Sequence, residues 1–303
     1  MSRDVHRADR GSLSTGRTAS SDTRPAECGS PWRSACLTGL VHPLRSPDTT
    51  GGTGIAAFAP SPALWHLLFE LAAYTVGFQW FLRRRGRFPT TAALPTSARL
   101  VLIAGAILGA AIGARLSWWL DDPVTAFAHF PDLRALMQGK SILGGLLGGV
   151  AGVEIAKWRL GVRESTGDAF VAPIVAGLVI GRIGCHLTGL SDHTAGLPTR
   201  LPWAHDFGDG IGRHPTALYE IVFLLAWAMV IALLARRLHA RGDRFRILML
   251  GYLAFRFCVE YLKPIPYAYP FGLSGLQWLC LAGIVYYLHW MPRIVRGLGK
   301  PST

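Results

Sequence analysis

Beyond Pro60 the chain is a succession of apolar runs separated by short polar connections. Seven can be drawn, at about 62–82, 98–120, 141–158, 169–188, 217–235, 246–262 and 274–291. Each has roughly the 17–25 residues that the hydrocarbon core of a bilayer demands of a helix. Glycine and β-branched residues fall within them without strict alternation. Strands of an outer-membrane barrel, about ten residues long with a period of two, therefore do not fit. The pattern predicts an all-α, polytopic membrane protein with seven transmembrane helices.

Residues 1–60 are a different material, rich in Ser, Thr, Gly, Asp and Arg, with no apolar period long enough to bury a face. Such a segment is expected to be disordered. It has no apolar stretch of the length a signal peptide needs, and for the same reason Ser34-Ala35-Cys36 is not read as a lipoprotein cleavage site. A second reading makes the segment an over-extended gene start, with Val41-His42-Pro43 as the true beginning. The expected division is an extension over 1–60, a seven-helix domain over 61–292 and a cytoplasmic tail over 293–303.

Composition sharpens this picture. Of 303 residues, 50% are hydrophobic and only 16% charged, where a soluble domain carries about a quarter. The net charge of +13 would suggest nucleic acid if Lys and Arg formed a patch or stripe. They instead cluster at the ends of apolar runs, so no nucleic-acid partner is expected. The first, third and fifth connections carry Arg83, Arg84, Arg85, Arg87 and Arg99; Lys157, Arg159 and Arg163; and Arg236, Arg237, Arg241, Arg244 and Arg246. The second, fourth and sixth carry only Arg134 and Lys140, Arg200 and Arg213, and Lys263. Because short cytoplasmic loops are enriched in Lys and Arg, the alternation, continued by Arg293, Arg296 and Lys300, predicts an outside N-terminus and an inside C-terminus. The five cysteines are an odd number with no C-x-x-C, so neither a disulfide framework nor a zinc site is signalled. No metal or cofactor is expected.

A charged side chain at a bilayer centre costs about 2.5–3.5 kcal/mol even on the lenient insertion scale, so each one needs a reason. Glu70, Arg115, Arg182, His186, Glu220, Arg256 and Glu260 all fall toward the outer half of their runs, and Glu154 toward the cytoplasmic end. One reading is mutual neutralisation, since Arg256 and Glu260 are i, i+4 neighbours on one face. The other is a ligand: Arg115, Arg182 and Arg256 on three helices are more than one pair explains, and guanidinium forks suit phosphate. At outer-leaflet depth that phosphate would belong to a phospholipid headgroup.

The stretch Ser141-Ile142-Leu143-Gly144-Gly145-Leu146-Leu147-Gly148-Gly149 opens the third run. Its glycines read as close helix packing, with the alternative that Gly144 and Gly145 at a helix N-terminus let backbone N–H groups approach an anion. The long fourth connection, with Asp206, Asp209, Arg213 and His214, matches no calcium-loop spacing.

These residues resemble the prolipoprotein diacylglyceryl transferase family. The resemblance rests on Gly113-Ala114-Arg115-Leu116, Gly181-Arg182-Ile183-Gly184, Arg213-His214-Pro215-Thr216-Ala217-Leu218-Tyr219-Glu220 and Arg256-Phe257-Cys258-Val259-Glu260, with Tyr74-Thr75-Val76-Gly77-Phe78 similar as well. It implies a multi-pass protein of the bacterial inner membrane. It also implies transfer of the diacylglyceryl group of phosphatidylglycerol, or a similar phospholipid, to the lipobox cysteine of a prolipoprotein, with release of glycerol 1-phosphate. Arg182 and Arg256 match the family's essential arginines, Glu260 completes the catalytic group, and Arg115, Gly144, Gly145, Cys185, Arg213, His214, Tyr219, Glu220, Glu70 and Tyr74 are implied to contact substrates.

Several positions depart from the family. Its histidine before the double glycine is Leu143, its Asn in Gly-Arg-Ile-Gly-Asn is Cys185, the acidic residue downstream is Leu190, and Glu70 stands where a tyrosine is expected. His186, an i, i+4 neighbour of Arg182, is a candidate substitute base, with His193 and His214 as further possibilities. Cys185 also reads simply as a small packing residue. A retained lipid site with altered acceptor groups leaves two further readings: a transferase with the same donor and another acceptor, and a non-catalytic lipid-binding or transport protein.

Overall fold

In a computed structural model of the protein, the residues described are 62–88, 93–128, 130–132, 137, 139–192, 194–238 and 240–298. The expectations for residues 1–60, His193 and the last residues of the tail lie outside them. The described chain is helical: α1 (Pro62–Arg84), α2 (Thr96–Asp121), the short α3 (Pro123–Ala128), α4 (Ile142–Leu160), α5 (Val171–Thr188), α6 (Thr216–Leu234), α7 (Asp243–Glu260), α8 (Gly275–Leu288) and the short α9 (Met291–Leu298). A two-residue hairpin, β1 (His205–Asp206) against β2 (Gly212–Arg213), pairs His205 with Arg213 and Asp206 with Gly212.

Each apolar run lies on one of the longer helices. Among the described residues three segments are by length and composition apolar enough to cross a membrane, Thr96–Asp121, Gly167–Ser191 and Thr216–Leu234, and Gly275–Leu288 is a shorter apolar helix. Leu108, Val222 and Leu233 are 63%, 67% and 72% exposed on these helices. Large apolar side chains presented outward in this number suit contact with hydrocarbon rather than water.

Helix ends are set by local chemistry. Ser141 precedes α4 and its hydroxyl accepts from the Gly144 N–H, while Gly161 ends the helix in the left-handed region at φ 68°, a backbone that glycine adopts without Cβ strain. Ser274 and Gln277 form a reciprocal capping box at the start of α8. α7 is capped by another segment: Asp168 accepts from the N–H groups of Gly242 and Phe245 at 2.7 and 3.1 Å, which ties the α4–α5 connection to the start of α7.

The tightest packing is between α2 and α4. Gly105, Gly109 and Gly113 on α2 meet Gly152, Gly148 and Gly144 on α4, and a Cβ added at Gly109 would lie 2.2 Å from the Gly148 carbonyl oxygen. Small residues four apart let two backbones touch in this way. α1 lies along α5, where Phe81 stacks on Phe170 at 4.6 Å and Gly184 makes room for Phe69. The core is centred on α6, α7 and α8: Leu224, Leu248, Met249, Leu253 and Cys280 are at most 1% exposed. Leu143, from the first turn of α4, joins that core at 1% exposure.

Gly148→Ala is expected to lower thermal stability in detergent by an overpacking penalty of about 1–3 kcal/mol, since its Cβ would lie 2.2 Å from the Gly109 carbonyl. Gly145→Ala, whose Cβ would find 3.7 Å of clearance, should unfold at the wild-type temperature. Equal melting of the two variants would contradict the packing described.

Candidate active site

α7 places Tyr252, Arg256 and Glu260 on one face, because residues four apart on a helix stand above one another. Glu220 projects from the first turns of α6 and Arg182 from the C-terminal half of α5. Glu220 is the junction. Its Oε1 accepts from the Tyr252 hydroxyl at 2.8 Å and its Oε2 from Arg256 Nη1 at 3.1 Å. Arg182 Nε lies 2.9 Å from the same Oε1, in a charge contact that is not aligned as a hydrogen bond. Arg256 Nη2 donates to Glu260 Oε2 at 3.0 Å. All five residues are buried, none above 5% exposure.

Two guanidinium groups and two carboxylates cancel in net charge, and at low dielectric that cancellation is what makes their burial tolerable. Mutual neutralisation, read in the sequence for Arg256 and Glu260 alone, therefore extends over three helices through Glu220. Hydrogen bonding is less complete than charge. Arg256 Nε is buried without a partner among the described residues, and the hydrogen bond from Arg182 runs to the soft Sγ of Cys185 at 3.9 Å. A guanidinium offers five N–H donors in a planar fork, so both arginines keep donors for an anionic oxygen.

The remaining sequence-predicted residues form separate groups. Glu70 receives both carboxylate contacts from Lys140 at 2.6 Å, accepts from the Tyr74 hydroxyl at 3.1 Å, and lies 3.7 Å from His66. Arg115 donates to the Gly139 carbonyl. Glu70 and Arg115 are thus tied to one turn, residues 139–141, rather than to the buried network. Depth in the sequence had put Arg115 level with Arg182 and Arg256, but its fork is turned to that carbonyl. Gly144 is a packing position, since a Cβ there would strike Ser117 Oγ, and its N–H is taken by Ser141. The Gly145 N–H donates to the Ser141 carbonyl at 2.9 Å.

His186 packs its ring 4.8 Å from His205 and 5.7 Å from Phe207, against the hairpin, with Nδ1 buried and unpartnered among the described residues. Arg213 pairs with Asp209 at 2.6 Å, and this hydrogen bond holds the exposed Asp209 carboxyl below its ordinary range. Trp203 Nε1 donates to the Tyr219 hydroxyl at 2.8 Å, and that hydroxyl lies 3.1 Å from His214 Nδ1. At the opposite end, Glu154 is held by Lys157 at 2.9 Å.

Tyr252 is the member of the network that sequence reasoning missed. Its signal was its spacing, one turn before Arg256 and two before Glu260, but an aromatic on an apolar helix reads first as core. Lys140, which holds Glu70, was missed because it was read as a loop charge, and Trp203, which holds Tyr219, was missed as well.

A helical chain that buries an arginine–carboxylate network among apolar, outward-greasy helices is a membrane enzyme candidate of the lipid-handling kind. The model of the family "Prolipoprotein diacylglyceryl transferase" matches residues 55–291, and the chain belongs to that family. Similar proteins named phosphatidylglycerol–prolipoprotein diacylglyceryl transferase include that of Cupriavidus metallidurans, 32% identical over 273 residues, spanning 81% of this chain and 92% of the relative. That of Pseudoalteromonas translucida is 32% identical over 81% of this chain and 90% of its own length. That of Methylococcus capsulatus is 33% identical over 80% and 91%.

Glu220→Gln should destabilise the protein by about 3–5 kcal/mol, the cost of leaving buried charges unpaired, and by more than Glu260→Gln, because Glu220 serves Arg182, Tyr252 and Arg256 while Glu260 serves Arg256. Thermal unfolding of the two variants in the same detergent checks the order. The reverse order would contradict the role of Glu220 as the junction.

Proposed function

We propose that the protein transfers the diacylglyceryl group of phosphatidylglycerol to the cysteine thiol of a prolipoprotein, releasing glycerol 1-phosphate. The observation that carries this reading is the pair of buried guanidinium groups, Arg182 and Arg256, with N–H donors lacking aligned oxygen acceptors. Family membership supplies the donor and acceptor classes, through the names of the relatives.

The chemistry suits such a site. A phosphodiester with one negative charge becomes a phosphate monoester with two as the bond from carbon to oxygen breaks. Preorganised cations stabilise the charge that develops, and do so best in a water-excluded setting. Glu220 and Glu260 hold the guanidinium planes in place before substrate arrives. In this reading Arg182, Arg256 and Glu260 are the catalytic group with Glu220 and Tyr252 positioning it. The turn at 139–141 with Glu70, Tyr74 and Arg115, and the hairpin with Arg213, His214 and Tyr219, flank it as contacts for headgroup and acceptor.

In the same proposal seven helices cross the inner membrane with the N-terminus outside and the C-terminus inside. This places the network toward the outer leaflet and the hairpin in the periplasm. The segments are the three long apolar spans together with α1, α4, α7 and α8. Their support is the alternation of basic connections. Residues 1–60 are then an extension ahead of the transferase domain, and 293–303 a cytoplasmic tail. One observation favours a second, non-catalytic reading: Leu143 is sealed in the core at 1% exposure and has no proton to give or take.

Purified protein given phosphatidylglycerol and a lipobox peptide is expected to release glycerol phosphate and to increase the peptide mass by one diacylglyceryl group. Arg182→Lys and Arg256→Lys, which keep the charge but lose the fork, should each slow this by about 10²-fold or more. Intact lipid binding with no product from the wild type would favour the non-catalytic reading. For topology, a cysteine at Gly208 should react with a membrane-impermeant maleimide in intact cells and one at Arg237 only after lysis. Labelling of both from outside would contradict the orientation.

A further inference from the structure

The buried network holds charge but contains no free base. Glu220 is engaged by Arg182, Tyr252 and Arg256, Glu260 accepts from Arg256, and Leu143 exchanges no proton. A thiol must lose its proton before its sulfur attacks carbon. The acceptor of that proton has to be reachable by an incoming peptide and close enough to act on the same reacting centre.

Lys263 stands one turn beyond the network, in a partly exposed position. It lies in the turn that closes α7, three residues beyond Glu260, and its backbone N–H donates to the Glu260 carbonyl at 3.1 Å. The preceding residue fixes that turn to the fourth connection, since the Leu262 carbonyl accepts from the Leu197 N–H at 2.7 Å. Its side chain is partly buried, and its ammonium makes no hydrogen bond or ion pair among the described residues. The charges that act on it are those of the network: Arg256 and Glu260 on its own helix, Arg182 on α5 and Glu220 on α6. Asp121 at the end of α2 adds to them, its carboxylate already accepting from the Leu276 N–H of α8 at 3.2 Å. Burial, and next the positive charge of Arg256, push the amine down to about 8 against the pull of Glu260. About a tenth of it is then neutral at pH 7, in the range where a general base works well.

We infer that Lys263 takes the proton of the acceptor thiol, an inference that rests on the transferase reading above. The S–H proton passes to the neutral Nζ. The thiolate forms the bond to the glyceryl carbon as the bond from that carbon to the phosphate oxygen breaks, and the electron pair leaves with glycerol 1-phosphate. The ammonium so formed stands beside the network while the leaving phosphate gains its second negative charge, and it returns its proton to water afterwards. His186 is less well placed, with its ring against His205 and Phe207. His214 has its Nδ1 turned to Tyr219.

The test is glycerol phosphate release against pH for the wild type, Lys263→Arg and Lys263→Gln, with phosphatidylglycerol and a lipobox peptide in detergent. Lipid retention is read separately by native mass spectrometry. Wild-type turnover should rise with an apparent value near 8. Lys263→Arg keeps the charge but accepts no proton, so it should bind lipid normally, turn over about 10²-fold more slowly at pH 7, and recover as the free thiol ionises unaided above about 8.5. Lys263→Gln should behave alike.

A Lys263→Arg protein with wild-type rate and profile would overturn the inference, because charge alone would suffice. So would a change confined to KM and lipid retention, which would make Lys263 a phosphate contact. Loss of the alkaline rise in His186→Ala or His214→Ala, with Lys263 intact, would assign the base elsewhere. A wild type that forms no product at any pH overturns the transferase reading itself, and this inference with it. That result is distinguishable from all the others.

Discussion

The arrangement of α5, α6 and α7 depends on one carboxylate being shared. Glu220 stands between Arg182 and Arg256, takes a third bond from Tyr252, and is 1% exposed. A guanidinium buried without such a partner carries a penalty of several kcal/mol, so neither arginine would remain in the helical core on its own. Because the partner comes from α6 while the arginines come from α5 and α7, the ion network also locks the relative rotation of three helices. Stability and preorganisation are here the same interaction.

That coupling explains how a neutral network can serve an anionic substrate. Net charge is cancelled, which lets the site exist within apolar packing. Donor capacity is not exhausted, since among the described residues Arg256 Nε has no partner and the hydrogen bond of Arg182 goes to a sulfur. A phosphate entering such a site adds hydrogen bonds without displacing the carboxylates that hold the forks. Packing elsewhere supports this rigidity: the glycine-to-glycine contact of α2 and α4 fixes the first turn of α4, and with it Leu143, against the core beside the network.

Much of the fold was legible in the sequence because the signals were local. Apolar runs and the glycines at the start of the third run each report on their own segment, and the helices observed follow them. The i, i+4 pair of Arg256 and Glu260 was legible for the same reason. What was not legible is which side chains from different helices meet. Arg115 and Glu70 read in the sequence as level with the network, yet they bind the turn at residues 139–141. Glu220 was seen as a costly charge but not as the junction, because bridging is decided by helix rotation, which one sequence does not encode locally. Tyr252 was hidden by its apolar character and Lys263 by its reading as a loop charge, although spacing placed both within two turns of Arg256.

The central question for this site is whether the two arginines recognise a lipid phosphate. The most direct measurement is native mass spectrometry of the purified protein offered equal amounts of phosphatidylglycerol and diacylglycerol, which share acyl chains and differ in the phosphate headgroup. The wild type is expected to retain phosphatidylglycerol preferentially, and Arg182→Met and Arg256→Met to lose that preference. Equal retention of the two lipids by the wild type, or an unchanged preference in both variants, would contradict it.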